Sequence, residues 1–425
     1  MPYRRSGTAS SRSERARSQL RLAVATETWP PEVNGVAMSL ARLVAGLRHR
    51  GHEIELVRPR QGPAAPDIGR AIDGSATAAV GPGGPETDGE VIVPALPIPR
   101  HPGLRMGVPS ARRLAARWRG RPPDLVHIAT EGPLGWSALR AARALRLPVS
   151  SEFRTNFHEY GRHYGIGWMR RPILAYLRWF HNAADCTMVP TQRLRASLAQ
   201  AGFGNVETVS RGVDARLFSP ARRSRELRRQ WGADDGDCVM IAVGRIAPEK
   251  SAGLLLRAFE AMRAIRPRTR LVFVGDGPAR RELSRLCPEA SFVGARYGED
   301  LAAHYASADI FGFASLTDTF GNVTLEAMAS GLAVLAYDDA AAGELIENGV
   351  DGLLAPVRDE ARFVRLGCEL VMRPERIAAM GRRARDRAMR RDWDRVVEQV
   401  ESRMVGLVED HEAARAGAAL GPYAC

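Results

Sequence analysis

The chain has 425 residues, 45% of them hydrophobic and 26% charged, the proportions of an ordinary globular protein with room for two domains. That composition excludes a wholly disordered chain, a fibre and a small disulfide scaffold, and no apolar run approaches the roughly 18 residues of a membrane-crossing helix. A net charge of +13 predicts an anionic partner: nucleic acid, an acidic lipid surface or a phosphorylated small molecule.

Residues 1–20 set Arg4, Arg5, Arg12, Arg15 and Arg17 among serines without apolar periodicity, which reads as a flexible basic arm. No long apolar segment follows them, so they are not expected to be a secretory signal. Arg21–Thr26 is a short apolar run predicting a strand. A turn ending in Asn34–Gly35, an amphipathic stretch from Val36 to Arg50 and a second run, Glu53–Val57, complete strand, turn, helix and strand. Residues 61–90 are rich in Gly, Pro and Ala and predict a loop or insertion. Leu125–Ile128, Val149–Phe153 and Thr187–Pro190 are further strands, separated by helix-length segments. The pattern restarts at Cys238–Val243, continues with a helix over Ser251–Arg263, and adds strands at Leu271–Val274, Ala308–Gly312 and Ala333–Ala336. Asp392–Leu407 closes the series as one long helix. Two alternating runs joined near Gly212–Pro220 predict two doubly wound α/β domains, with ligands bound beyond the carboxyl ends of the strands, in the cleft between them.

Of the 61 basic residues, 60 are arginine and only Lys250 is lysine. A drift toward arginine accounts for the sixty and leaves the solitary lysine to be explained. It closes Val243–Lys250 (VGRIAPEK), a strand end and a helix start with Pro248 at the first helical position. A lysine in a first turn faces the positive end of the helix dipole, unless a bound anion reverses the sign. Lys250, Arg245 and free backbone N–H groups would then converge on that anion; a solvated surface lysine is the plain alternative. In Leu316–Ala329, Phe320, Gly321, Asn322 and Val323 open a second helix whose N–H groups suit phosphate. Asp318 precedes it and Glu326 lies inside it, in apolar company that makes a carboxylate seek hydroxyl partners. A simple cap for Asp318 and a surface place for Glu326 are the alternatives. Asn34–Gly35, and Gly275 in the turn Gly275–Pro278, complete the candidate anion-binding side. Asp392–Trp393–Asp394 has the spacing of a metal-binding pair, but before a helix Asp reads as a cap. Asp234–Asp237 reads as a turn. Five scattered cysteines (Cys186, Cys238, Cys287, Cys368, Cys425) show no metal or disulfide spacing and suggest a reducing compartment.

Taken together, Asn34–Gly35, VGRIAPEK and LTDTFGNVTLEAMA resemble the retaining glycosyltransferases of family four, over roughly Leu20 to Leu407. The resemblance implies the two-domain GT-B fold, with two Rossmann-like domains facing a cleft and a C-terminal helix crossing back to the first. It implies an arm at 1–20, an acceptor-side domain at 21–213, a nucleotide-sugar domain at 214–391, and a helix and tail at 392–425. In that family a Gly near the first turn, an Arg/Lys pair and an E-x7-E motif hold a nucleotide sugar. Gly35, Arg245 with Lys250, and Asp318 with Glu326 match those positions. Asp318 departs from the family's Glu by one methylene, which leaves the sugar open. Arg211–Phe218 (RGVDARLF) is similar to the family's hinge. The wording TETWPPEVNGVAMSL and TDTFGNVTLEA looks most like the bacterial GDP-mannose-dependent α-mannosyltransferases, whose relatives include glycolipid and sulfolipid synthases. His127, Glu131, Arg154 and His158 are acceptor-side candidates; His158 is equally readable as structural. The family's His-Glu-Pro segment is Ala129–Thr130–Glu131 here, so no catalytic His carries over from it.

The expected function is a metal-independent, cofactor-free retaining transfer of a hexose, mannose from GDP-mannose foremost, to a hydroxyl of a lipid or glycolipid acceptor. A UDP-sugar-dependent synthase of a sulfolipid, diacylglycerol glycoside or polysaccharide precursor is the alternative. Basic stretches at Arg100–Arg121 and Trp168–Phe180 suggest an anionic membrane surface as partner, and a cytoplasmic location on its inner face; a solvated helix and a core helix are the alternative. Nucleic acid is not expected, since no zinc finger, ribonucleoprotein motif or aromatic-interleaved basic stripe is present.

Overall fold

A computed structural model describes residues 19–32, 34–61, 89–98, 101–154 and 170–419. Its first half runs β1 (Arg21–Ala25), α1 (Gly35–His49), β2 (Glu53–Pro59) and β3 (Glu90–Val93). A hairpin of β4 (Ala95–Ile98) and β5 (His101–Gly107) and helix α2 (Ala111–Gly120) follow. Then come β6 (Leu125–Ile128), α3 (Pro133–Ala144), β7 (Val149–Glu152), α4 (Arg170–Asn182), β8 (Cys186–Val189), α5 (Gln192–Gln200) and β9 (Val206–Thr208). The sheet is parallel, ordered β3-β2-β1-β6-β7-β8-β9. Its strands are short and apolar on both faces because helices cover both. Leu22 and Val24 point into one core layer, Ala23 and Ala25 into the other.

The second half repeats the scheme after α6 (Arg225–Gln230). It runs β10 (Cys238–Val243), α7 (Ala252–Ile265), β11 (Thr269–Val274), α8 (Arg280–Leu286), β12 (Ser291–Gly294), α9 (Gly298–Ala306) and β13 (Ile310–Phe313). It ends with α10 (Asn322–Ala329), β14 (Ala333–Tyr337), α11 (Ala340–Leu345), β15 (Gly352–Ala355), α12 (Glu360–Val371) and α13 (Pro374–Ala388). The parallel order is β12-β11-β10-β13-β14-β15, with Met240 and Val239 again serving opposite layers. Each sheet changes winding direction once, between β1 and β6 and between β10 and β13, and crevices open beyond the strand ends there.

The chain leaves the first domain at Val213 and returns at Asp392, and the two passages are bridged: Val213 N donates to Arg391 O at 2.9 Å. Helix α14 (Trp393–Ala419) then lies on the first domain. Val396, Val397, Val400 and Met404 share the core of Leu40, Leu43 and Leu47, and an added Cβ at Gly46 would sit 2.4 Å from Val397. Asp392 caps this helix, its Oδ1 accepting from Arg395 N at 2.9 Å; Asp234–Asp237 is a turn closed by Asp237 Oδ2 on Asp234 N.

Some expectations change. The Gly/Pro-rich stretch ends in strand β3, with a hairpin beyond it, and residues 62–88 lie outside the described residues, as do 1–18. On α2, Leu114 and Trp118 are fully buried. Glu55 accepts from Trp118 Nε1 at 2.7 Å and Arg117 Nε at 2.6 Å, and Arg113 donates to Ile92 O. Arg113 and Arg117 thus fasten the helix to the sheet, while Arg112 and Arg119 face outward. On α4, Leu177 and Phe180 enter the core and Trp179 is 52% exposed. Among the described residues no helix is long and apolar enough to cross a membrane. Cys186 and Cys238 are buried free thiols, pushed up to about 12 by burial.

Candidate active site

The second-domain side begins where β10 and β11 end together. Gly244 and Gly275 have φ of 136° and 142°, and an added Cβ on Gly275 would lie 1.9 Å from Gly244 O. Gly275 is therefore fixed by the interlock of two loops, which accounts for it without a ligand. Pro248–Lys250 forms a 3-10 turn, Ser251 takes φ of 51°, and α7 starts only at Ala252. The expectation of Lys250 in the first turn of an α-helix is corrected: it closes the preceding 3-10 turn. Leu316 N donates to Glu249 O at 3.2 Å, so the loop after β13 is tied to this turn. That register brings Lys250 Nζ to 2.6 Å from Asp318 Oδ2. Arg245 is exposed, with its guanidinium 3.8 Å from the buried Glu249 carboxylate.

Helix α10 is entered through Gly321, whose φ of 83° suits glycine and whose missing side chain leaves room for the Phe313 ring. Phe320 is 4% exposed and belongs to the core, so only its backbone is on the site side. Asn322 and Val323 form the first turn, and Glu326 follows one turn later. Tyr305, which sequence reasoning missed, donates its hydroxyl to Glu326 Oε2 at 3.0 Å. Burial pushes Glu326 up to about 7, against the opposing pull of that hydrogen bond and of the Arg42 charge. At neutral pH it is poised between acid and carboxylate.

Arg42 comes from α1 of the first domain and also pairs with Asp214 at 3.2 Å, beside the crossover. Gly35 opens the same helix, and an added Cβ there would meet Asn322 Nδ2 at 3.9 Å. Gly35 thus faces the start of α10 in the second domain. Asn34 caps α1, its Oδ1 accepting from Val36 N and Ala37 N, while its amide donates to Thr28 at 2.6 Å. Another contact between the domains is Thr319 Oγ1 donating to Arg154 O at 2.5 Å, and further along Arg193 pairs with Asp338 at 3.2 Å while Gln192 N donates to Glu344.

The acceptor-side candidates separate. His127 is fully buried inside the first sheet, bonded to Ser150 at 2.9 Å and Glu152 at 3.0 Å. It reaches no cleft, which removes it as an acceptor contact. Arg154 is 8% exposed and reaches Glu152 at 2.8 Å and Ser39 Oγ at 2.5 Å. Burial would push Glu152 up, but Arg154 and Arg211 (2.8 Å), helped by His127, hold it well below the usual carboxylate range. Burial in turn pushes Arg154 down to about 10, leaving it charged at neutral pH. Glu152 therefore positions Arg154, and through it the Thr319 contact; no motif announced it. Glu131 lines a cavity with Trp136 and Tyr176. His158 lies outside the described residues.

Residues 33–217 match the model of the Glycosyltransferase Family 4 domain, and residues 237–372 match that of Glycosyl transferases group 1. A GDP-mannose-dependent alpha-mannosyltransferase of Mycobacterium tuberculosis is 36% identical over 90% of this chain and 95% of its own. The sulfoquinovosyl transferase of Arabidopsis thaliana is 28% identical over 88% of this chain and 71% of its own. Among solved structures, the Anabaena protein HepE in complex with UDP and glucose aligns with a TM-score of 0.68 at 19% identity, covering 91% of this chain and 99% of that one.

Proposed function

The chain belongs to the family 4 glycosyltransferases and is a hexosyltransferase of the two-domain GT-B fold, and from that premise we propose that it transfers mannose from GDP-mannose to a hydroxyl of a lipid or glycolipid acceptor, with retention and without a metal ion or cofactor. The observation that carries this reading is the Lys250–Asp318 pair at the entrance to α10, whose first residue faces Gly35 of the first domain. The likeness to the mycobacterial mannosyltransferase supports the donor. Lys250, Arg245 and the N–H groups of Asn322 and Val323 stabilise charge growing on the leaving diphosphate. Glu326 takes the ribose hydroxyls and Asp318 those of the sugar. The bond from the sugar's anomeric carbon to the diphosphate breaks, the bond to the acceptor oxygen forms on the same face, and the acceptor's proton passes to the departing phosphate. No side-chain base is required.

A UDP-sugar donor is the second reading, kept open by Asp318, which stands one methylene short of the family's Glu at the sugar. The deciding experiment offers GDP-mannose, UDP-glucose and UDP-glucuronate with a lipid extract; product from GDP-mannose alone supports the first reading. Inhibition by a chelator, reversed by manganese, would reject the metal-free route. The acceptor end is proposed to work at the cytoplasmic face of an anionic membrane, through Arg112, Arg119, Arg171 and Trp179, all exposed on the first domain.

A further inference from the structure

We propose that Tyr305 positions the nucleotide through Glu326, its hydroxyl clamping one carboxylate oxygen and aiming the other at the ribose, so that Tyr305 selects ribose over deoxyribose; this rests on the glycosyl-transfer reading above, in which Glu326 takes the ribose hydroxyls. Helix α10 shows where that carboxylate points. Thr324, Leu325, Ala327, Met328 and Ala329 are buried, and only Asn322, Val323 and Glu326 of this helix stay half-buried. Asn322 and Glu326 are four residues apart and therefore neighbours on one face. That face looks to the first domain, where a Cβ on Gly35 would meet Asn322 Nδ2 at 3.9 Å. Arg42, on the same helix as Gly35, acts on Glu326 by its charge, but its Nη1 is engaged by Asp214 at 3.2 Å. Among the described residues, the bond that fixes the carboxylate is the one Tyr305 donates to Oε2 at 3.0 Å. Oε1 has no such partner there and is not enclosed, so it is the oxygen open to a ligand's donor.

Tyr305 is held still by its surroundings. It is fully buried, its ring edge-on to Phe218 at 5.7 Å and tilted against Phe311 at 6.1 Å. Phe218 ends the segment that joins the domains, Arg211–Phe218, so the clamp is anchored where the chain enters the second domain. The same hydroxyl lies 3.3 Å from Val323 O, which ties the first turn of α10 to the carboxylate one turn later. Burial, with the Glu326 charge, pushes the phenol well above its ordinary range, so it stays protonated and donates. Without that donor the carboxylate would turn or bind a proton. Either change removes an acceptor that ribose hydroxyls need. Tyr305 is itself closed off from the cleft and acts only through Glu326.

Calorimetry on the full-length protein with GDP, UDP and their 2′-deoxy and 3′-deoxy forms tests the clamp. The parent should bind its preferred ribonucleotide about tenfold or more tightly than at least one deoxy form, the worth of a hydrogen bond to a charged group. Tyr305→Phe keeps the ring and removes the donor. It should weaken the ribonucleotide by about the same factor, leave the poorly bound deoxy form unchanged, and so erase the preference. An equal loss for ribo and deoxy forms would mean a merely structural tyrosine, and an unchanged preference an idle one; either overturns the proposal, as does a parent without a ribose preference. Melting temperature reports whether Tyr305→Phe folds. If it does not, the same change is made in Glu326→Gln, where no carboxylate is left unpaired. A residue acting only through Glu326 then has nothing to act on, so nucleotide affinity should equal that of Glu326→Gln alone; a further loss overturns the proposal. If neither GDP nor UDP binds the parent, the glycosyl-transfer reading fails and takes the clamp with it, an outcome distinct from nucleotide bound without a ribose preference.

Discussion

Lys250 Nζ lies 2.6 Å from Asp318, so a diphosphate that recruits the lysine competes with an internal carboxylate. Asp318→Asn should therefore leave GDP affinity unchanged or tighter while transfer falls, a combination that calorimetry and turnover assays can separate. Lys250→Ala should lose about ten- to over a hundredfold in turnover, since a charge-assisted contact is worth roughly 1.5–3 kcal/mol. Lys250→Arg should also be impaired, because a broad planar fork does not replace a compact ammonium. Glu326 makes a different prediction. Its value near 7 in the folded protein exceeds the ordinary 4.5, so between those values the folded chain binds a proton the unfolded chain has lost. The stability this group contributes is present in full below pH 4.5 and is lost as pH rises through 7. At about 1.4 kcal/mol per unit the loss is on the order of 3–4 kcal/mol at most. Glu326→Gln should remove the slope: its melting temperature should gain on the parent from pH 4.5 to 7, then hold a constant lead. A constant difference across that range would contradict the buried-acid assignment. Lys250, Asp318 and Glu326 are legible in the sequence as chemistry. Their partners are not, because the Lys250–Asp318 pair spans 68 positions and depends on the Leu316–Glu249 bond, while Tyr305 is marked by no motif.

At the scale of elements, the strands that carry the site are legible as well. β1, β6, β10 and β13 are apolar runs bounded by turn residues. β9, β12 and β15 (VET, SFVG and GLLA) are about as short as β6 and β13, but each begins or ends on a polar residue or glycine, and only their neighbours in the sheets make them strands. The hidden 3-10 turn before α7 has the same origin. Pro248 suits a helix start equally well in either case, and the left-handed Ser251 that separates the two is not a glycine. Helix α14 shows how far an element's role exceeds its pattern. Its length is readable from Asp392 onward, yet its partner is α1, hundreds of residues earlier. Met404 is fully buried against that partner's core. Met404→Ala should cost the first domain about 2–5 kcal/mol, visible as a lower denaturant midpoint, whereas GDP affinity, assigned by the proposed reading to the second domain, should hold.

For the whole molecule, a net charge of +13 becomes a question of where the unpaired arginines point. Arg113 and Arg117 are occupied with the sheet, which leaves Arg112, Arg119 and Arg171 for an external anion. Each should contribute about 1 kcal/mol near anionic headgroups, enough for reversible docking. The protein should cosediment with phosphatidylglycerol vesicles, ignore neutral ones, and be released at 1 M salt, where the Debye length is about 3 Å. Replacing Arg112, Arg119 and Arg171 by Glu should abolish the association and spare nucleotide affinity; no binding at low salt would point to a soluble acceptor. The crossing of α14 has one more consequence, in the order of synthesis. The ribosome makes the seven strands of the first sheet, then the whole second domain, and only afterwards the helix that completes the first core. Domains usually mature in the order in which they emerge. Here the earlier domain waits with Leu40, Leu43 and Leu47 uncovered, and the later one can finish first. A nascent chain stalled before Trp393 should therefore present a folded second domain beside an unfinished, chaperone-accessible first one.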